Sequence, residues 1–277
     1  MTNLASFKLA IDGSLLLPGT RPLELHYQEG GRGAPLVLLH GGWGYGFYPH
    51  DDAIARLDRR FLIPDRTGYG GSPHIAELPP KFHVAAAIET EKFLDKLGIE
   101  RPVLWGHSDG AVIATILALR HPDQYEGIIV EAIHLDREKP RSRAFFLQMQ
   151  NDPDAFGERV TRKLAEEHGE DYWRTIIRAA GRAWVDIAAT PKEDFYEHRL
   201  HELRVPMLVV HGADDPRTEP GELDRIRREV PAARIEMIEG GGHSPHSTRA
   251  TAAQVTAIVG SFLDSLSARS SPRSMTR

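Results

Sequence analysis

A serine hydroxyl attacks a carbonyl at neutral pH only when a base takes its proton, and an imidazole steadied by a carboxylate serves that purpose. The chain carries such a set in three separate loops: Ser108 within Gly106-His107-Ser108-Asp109-Gly110, Asp215 within His211-Gly212-Ala213-Asp214-Asp215-Pro216, and His243 within Gly240-Gly241-Gly242-His243-Ser244-Pro245-His246. The G-x-S-x-G pattern gains meaning from its flanks. Apolar Val103-Leu104-Trp105 leads in and an apolar run from Ala111 to Leu119 leads out, which places the serine at a sharp strand-to-helix turn. Gly106 and Gly110 are expected where a Cβ would collide with a neighbouring strand or helix. The helix that follows aims its first N–H groups at charge forming on Oγ.

Asp215 and His243 both follow short apolar runs, and in a parallel sheet such loops gather at one edge. The order serine, acid, histidine is the one this arrangement uses. Competitors are Asp214, Glu131 and Asp136 for the acid, and His246 for the base. Pro245 and polar neighbours suggest that His246 lies further out. His40-Gly41-Gly42-Trp43-Gly44, straight after another apolar run, can turn backbone N–H groups inward. The N–H groups of Asp109 and Gly42, with Trp43 as the alternative to Gly42, are the expected donors to an oxyanion.

These loops need a frame, and hydrophobic patterning supplies one. Ser6–Ile11 and Leu23–Gln28 read as an antiparallel edge hairpin, and Pro35–Leu39, Phe61–Pro64, Val103–Trp105, Gly127–Val130, Pro206–Val210 and Arg234–Ile238 as further strands. Helices are expected near Asp51–Arg59, over Val84–Leu97 with Gly98 as its cap, after Ser108, around Leu223–Val230, and from Val255 to Leu266. Asp65–Ser72 is a turn-rich loop read as structural. From His134 to Leu203 the alternation stops and the composition turns helical, with Trp173 and Trp184 inside it. The expected organisation is an α/β core at 1–133 and 204–267, a helical cap inserted at 134–203, and a disordered basic tail at 268–277.

Size and composition agree with one globular α/β domain plus an insertion: 277 residues, 41% hydrophobic and 26% charged. The net charge of −5 and the lack of a long basic block argue against nucleic acid as a partner. No apolar run is long enough for a membrane span and no secretory leader pattern opens the chain, so a cytoplasmic location away from membranes is expected. Without cysteine there are no disulfides or thiolate sites. The 14 histidines show no HExxH-type spacing, so no metal is expected. A small-molecule substrate is the expected partner, and a homo-oligomer is compatible with the sequence.

HGGWG, DRTGYGGS, GHSDG, HGADDP and GGHSPH occur in an order and spacing that resemble the α/β-hydrolase superfamily over nearly the whole chain. Ser-Asp-Gly at the nucleophile, the helical insertion and the histidine loop resemble its small-molecule ester hydrolases, including the valacyclovirase-like and meta-cleavage-product hydrolase branches. The resemblance implies an eight-stranded, mostly parallel sheet flanked by helices, and no cofactor. Epoxide hydrolases and haloalkane dehalogenases of that superfamily carry aspartate where this chain has Ser108, so their activities are not expected. The implied function is hydrolysis of a small carboxylic ester, thioester, amide or carbon–carbon bond through an acyl-enzyme. A non-catalytic ligand receptor on the same fold, or a cofactor-free haloperoxidase-like enzyme, is the alternative. Trp43, Trp173, Trp184 and Asp109 are expected to face the substrate. A carboxylate at Asp109 favours the start of a helix. It also opposes a nearby oxyanion unless a cation offsets it, which raises a substrate ammonium group as its partner.

Overall fold

The computed structural model describes residues 3–270. β1 (Ala5–Ile11) pairs antiparallel with β2 (Leu23–Gly31), Ile11 opposite Leu23, and β2 pairs antiparallel with β4 (Arg60–Pro64). The remaining neighbours run parallel: β3 (Pro35–Leu39), β5 (Val103–His107), β6 (Gly127–Glu131), β7 (Met207–Gly212) and β8 (Arg234–Ile238). The sheet order is β1-β2-β4-β3-β5-β6-β7-β8. β5, β6 and β7 are buried along their whole length, which is why their sequences are continuous apolar runs without alternation.

Period-two packing sorts each strand between two layers. Leu36 and Leu38 face α1 (Asp51–Arg56) and α8 (Ala252–Ser270) through Ile54, Val255 and Val259. Val37 and Leu39 face the opposite layer, where α2 (Phe82–Leu97) and α3 (Asp109–Arg120) contribute Phe93, Val112 and Leu117. α2 ends at Gly98, which takes the left-handed conformation at φ 64°. α1 is shorter than expected, because the chain must enter β4 at Arg60. α8 runs on to Ser270, so Ala268–Ser270, assigned to a tail on composition, are helical; the rest of that tail lies outside the described residues. Among the described residues no helix is long and apolar enough to cross a membrane.

Two features of this frame position the site. From β3 the chain goes to β4 on one side and then crosses to β5 on the other. The loops leaving β3 and β5 therefore diverge around a crevice at the carboxyl ends of the strands. Between β6 and β7 the chain then builds α4 (Arg143–Asn151), α5 (Glu158–His168) and α6 (Trp173–Ala188) over that edge. The insertion is tied down at its root by Glu222, at the start of α7 (Glu222–Glu229). Its carboxylate accepts the N–H groups of Leu135 (2.7 Å) and Asp136 (3.0 Å) and pairs with buried Lys139. Farther along, His168 donates from Nε2 to the Trp43 carbonyl (3.1 Å), Glu167 accepts the Gly46 N–H (2.9 Å), and the Tyr172 hydroxyl meets the backbone of Gly68 and Ile75. The insertion thus grips the loops that follow β3 and β4.

Candidate active site

β5 turns into α3 at Ser108, whose backbone stands at φ 54° and ψ −116°. A non-glycine residue there carries strain that the surroundings must hold. The holding is visible in the two glycines. A Cβ on Gly106 would lie 2.1 Å from the Gly110 carbonyl oxygen, and one on Gly110 would lie 1.9 Å from that of Leu39. Only glycine allows the strand, the turn and the helix to approach this closely. The Ser108 N–H is held by the Glu131 carbonyl at 2.9 Å.

The structure brings the three expected groups together. Ser108 Oγ is 3.1 Å from His243 Nε2, and His243 Nδ1 is 3.0 Å from each carboxylate oxygen of Asp215. An ionised carboxylate only accepts, so Nδ1 carries the ring proton and Nε2 presents its lone pair to the hydroxyl. Burial works against the charge of Asp215. The His243 hydrogen bond and the Arg217 N–H (2.9 Å) outweigh it and hold the carboxyl well below the usual range. The His243 loop is fixed from below, where its carbonyl accepts from His107 Nε2 at 3.0 Å. Burial, and then the Arg217 charge, push the His243 pKa below its ordinary value, although Asp215 pulls it up.

The competitors are occupied elsewhere. Asp214 is exposed, and Asp136 pairs with Arg225 at 2.9 Å. His246 does not lie further out, as its polar flanks suggested. It is buried, giving Nδ1 to Glu131 (2.6 Å) and Nε2 to the Tyr48 carbonyl (2.9 Å), with His50 stacked on it at 3.8 Å. Both ring nitrogens face acceptors, and the Glu131 carboxylate outweighs burial and raises the His246 pKa. His107, Glu131 and His246 are the group among the described residues whose ligand atoms lie close enough for a metal ion, within 4.8 Å. Their hydrogen bonds already spend His246 entirely and the Nε2 of His107.

On the other side of Ser108, the loop after β3 passes close by. A Cβ on Gly41 would touch the Ser108 Cβ at 3.2 Å, and one on Gly42 would lie 3.0 Å from Asp109 Oδ2. As the first residue of α3, Asp109 has no carbonyl within the helix to receive its N–H. Gly42, Trp43 and Asp109 all line the cavity that contains Ser108 and His243.

Of the two roles weighed for the Asp109 side chain, its surroundings fit the structural one. Asp109 is 1% exposed, takes hydrogen bonds from His83 Nε2 (3.1 Å) and Trp184 Nε1 (3.2 Å), and has the Arg66 guanidinium at 3.6 Å. Burial opposes its ionisation; the His83 bond and the Arg66 charge overcome that and lower its pKa. The cation that a carboxylate beside an oxyanion requires is already inside the protein, so Asp109 organises the wall of the site and is not left open for a substrate ammonium group. Arg66 comes from the Asp65–Ser72 loop that patterning marked as merely structural.

The insertion closes the cavity with Phe145, Phe146, Met149 and Trp184. Trp173 is not among them. It occupies the same face of α6 as Trp184, since eleven residues are close to three full turns, but lies about 16 Å along the axis. There it is 1% exposed in the core, under the Arg174 guanidinium. Tyr48, His107, His134 and Arg217 also stand on the cavity wall and were not anticipated; two of them bear on the chemistry. His134, three residues past β6, sits with Nε2 3.5 Å from Ser108 Oγ, while its Nδ1 is buried without a partner. Lacking a carboxylate, and pushed well below its ordinary pKa by burial, it is the lesser base beside His243. Arg217 is the second. The same rule about strand ends that located Asp215 could have flagged both.

Residues 36–257 match the sequence profile of the Alpha/beta hydrolase family. The chain is 26% identical over 254 residues to the serine hydrolase BPHL of Homo sapiens, covering 88% of this chain and 82% of that one. It is 28% identical over 235 residues to a 2-hydroxy-6-oxononadienedioate/2-hydroxy-6-oxononatrienedioate hydrolase of Paraburkholderia phymatum, covering 72% and 77%. Among solved structures, an esterase from Thermogutta terrifontis superposes with a TM-score of 0.70 at 19% identity, over 94% of this chain and 99% of that chain. A haloalkane dehalogenase variant from Bradyrhizobium elkanii does so with 0.73 at 16%, over 97% and 99%.

Proposed function

Because this chain belongs to the alpha/beta hydrolase family, we propose that it is a serine hydrolase of small carboxylic esters or related acyl compounds. The observation that carries this reading is the unbroken hydrogen-bonded series Asp215–His243–Ser108 at 3.0 and 3.1 Å, opening into a cavity. Ser108 Oγ attacks the carbonyl carbon as His243 Nε2 takes its proton. The carbonyl oxygen becomes an oxyanion received by the N–H groups of Gly42 and Asp109. Collapse expels the leaving group, which takes the proton from His243, and leaves an acyl ester on Ser108. Water, deprotonated by the same imidazole, then releases the acid and restores the serine. The named hydrolase relatives support the reaction class, and selectivity is left to the cavity wall.

The test combines p-nitrophenyl esters of graded chain length with a fluorophosphonate probe. Turnover abolished in step with one label per chain, located at Ser108, is the expected result. Absence of turnover on every ester would favour the ligand-receptor alternative.

Two further outcomes follow from the geometry. The base must be neutral to accept a proton, and burial with the Arg217 charge lowers its pKa. The acid limb of the kcat/KM profile should therefore have its midpoint below about 6.5, the ordinary histidine value. A midpoint at or above that value would contradict the assignment of His243.

The insertion is proposed to act as a lid, with Trp184 as its contact to the site. In a Trp43→Phe background, which removes the other tryptophan of the cavity wall, covalent labelling of Ser108 should change the fluorescence of a Trp173→Phe variant, which keeps Trp184. In the same background a Trp184→Phe variant, which keeps Trp173, should hardly respond. The reverse pattern would remove Trp184 from the lid.

A further inference from the structure

Arg217 follows Asp215 by two residues, and its N–H is tied to that carboxylate at 2.9 Å. Its side chain turns the other way, into the wall of the cavity that holds Ser108 and His243. The guanidinium carbon lies 4.0 Å from the centre of the Phe145 ring on α4. The Tyr48 hydroxyl, on the same cavity wall, takes one hydrogen bond from this side chain. Stacked on an aromatic face, a guanidinium still offers its remaining edge donors in a planar fork that matches a carboxylate. Among the described residues no carboxylate lies within ion-pair distance of it. The two acidic groups of the site are committed, Asp215 to His243 and Asp109 to Arg66 and His83. The cavity therefore presents one cation that the protein does not neutralise.

Resting on the serine-hydrolase reading above, we propose that Arg217 receives a carboxylate of the substrate, making the enzyme selective for acyl compounds that carry a negative charge beside the scissile bond. The position has a kinetic consequence. The Arg217 charge lowers the pKa of His243 and so opposes the imidazolium formed in the transition state. A carboxylate bound on the guanidinium cancels that opposition, so the preference appears in kcat as well as KM. This inverts the expectation of a cationic substrate that Asp109 suggested, because Arg66 already answers Asp109 and no carboxylate among the described residues answers Arg217.

The test uses two pairs of esters that differ in charge and little in shape. One pair carries the group on the acyl side: mono-p-nitrophenyl adipate and its primary amide. The other carries it on the leaving group: 4-carboxyphenyl and 4-carbamoylphenyl butanoate. The readout is the acid-to-amide ratio of kcat/KM in wild type and in Arg217→Met, since intrinsic reactivity cancels between the two proteins. A charge-assisted contact predicts a ratio about ten- to hundredfold higher in wild type for at least one pair. Ratios that are the same in both proteins for both pairs overturn the proposal, while turnover that still depends on Ser108 leaves the hydrolase reading intact. No turnover of any of the four esters by wild type overturns both. If Arg217→Met does not fold, the wild type decides through salt. A ratio that falls between about 0.05 and 0.5 M salt supports a charge contact, and a salt-independent ratio overturns it.

Discussion

Ser108→Ala is expected to lower ester turnover by at least about 10⁴-fold while the protein still folds. The loss is large because Oγ is the atom that becomes covalently bound to the acyl group, and no neighbouring side chain can replace it. His134 is near, but an imidazole 3.5 Å from Oγ has no carboxylate to orient it. Steady-state kcat on a p-nitrophenyl ester, with a melting curve as the control, measures both halves of the statement. Retention of a tenth of wild-type kcat would remove Ser108 from the nucleophile's place. The backbone adds a second readout. At φ 54° a side chain is strained, and glycine is not. Ser108→Gly should be as inactive as Ser108→Ala but more stable, by up to about 1–3 kcal/mol.

Asp215→Asn is expected to cost on the order of 10⁴-fold in kcat. An amide can present its NH₂ to Nδ1, which then holds the imidazole in the tautomer whose Nε2 is protonated and useless as a base toward Ser108. Glu131→Gln provides the contrast. Glu131 is buried against His246 rather than His243, so removing its charge strands a buried imidazolium and should cost stability, about 3–5 kcal/mol. Thermal melts and kcat of the two variants should therefore separate: Asp215→Asn stable and inactive, Glu131→Gln destabilised and active while folded. The opposite division, or an inactive Asp136→Asn, would move the acid to the loop after β6.

The residues themselves carried the parts of this protein whose causes are local. Continuous apolar runs such as Val103–Trp105 and Gly127–Val130 spell strands buried on both faces, and Gly98 stops α2, because short-range sterics and periodicity suffice. Gly106 and Gly110 were legible as tight approaches for the same reason. A parallel sheet then sends every strand end to one edge, so Ser108, Asp215 and His243 could be placed near one another without knowing any long-range contact. Tertiary structure alone decided the rest. Asp214 and Asp215 are neighbours in the chain, and only burial beneath the His243 ring separates their roles. Trp173 and Trp184 share a helix face, and only the seating of α6 on the core puts Trp184 at the cavity. Arg66 reaches Asp109 across 43 positions, and Arg217 reaches Phe145 from a loop beyond the insertion. Such pairings leave no period in the sequence. They arise where one packed layer is laid on another, and there the charge of the site was settled.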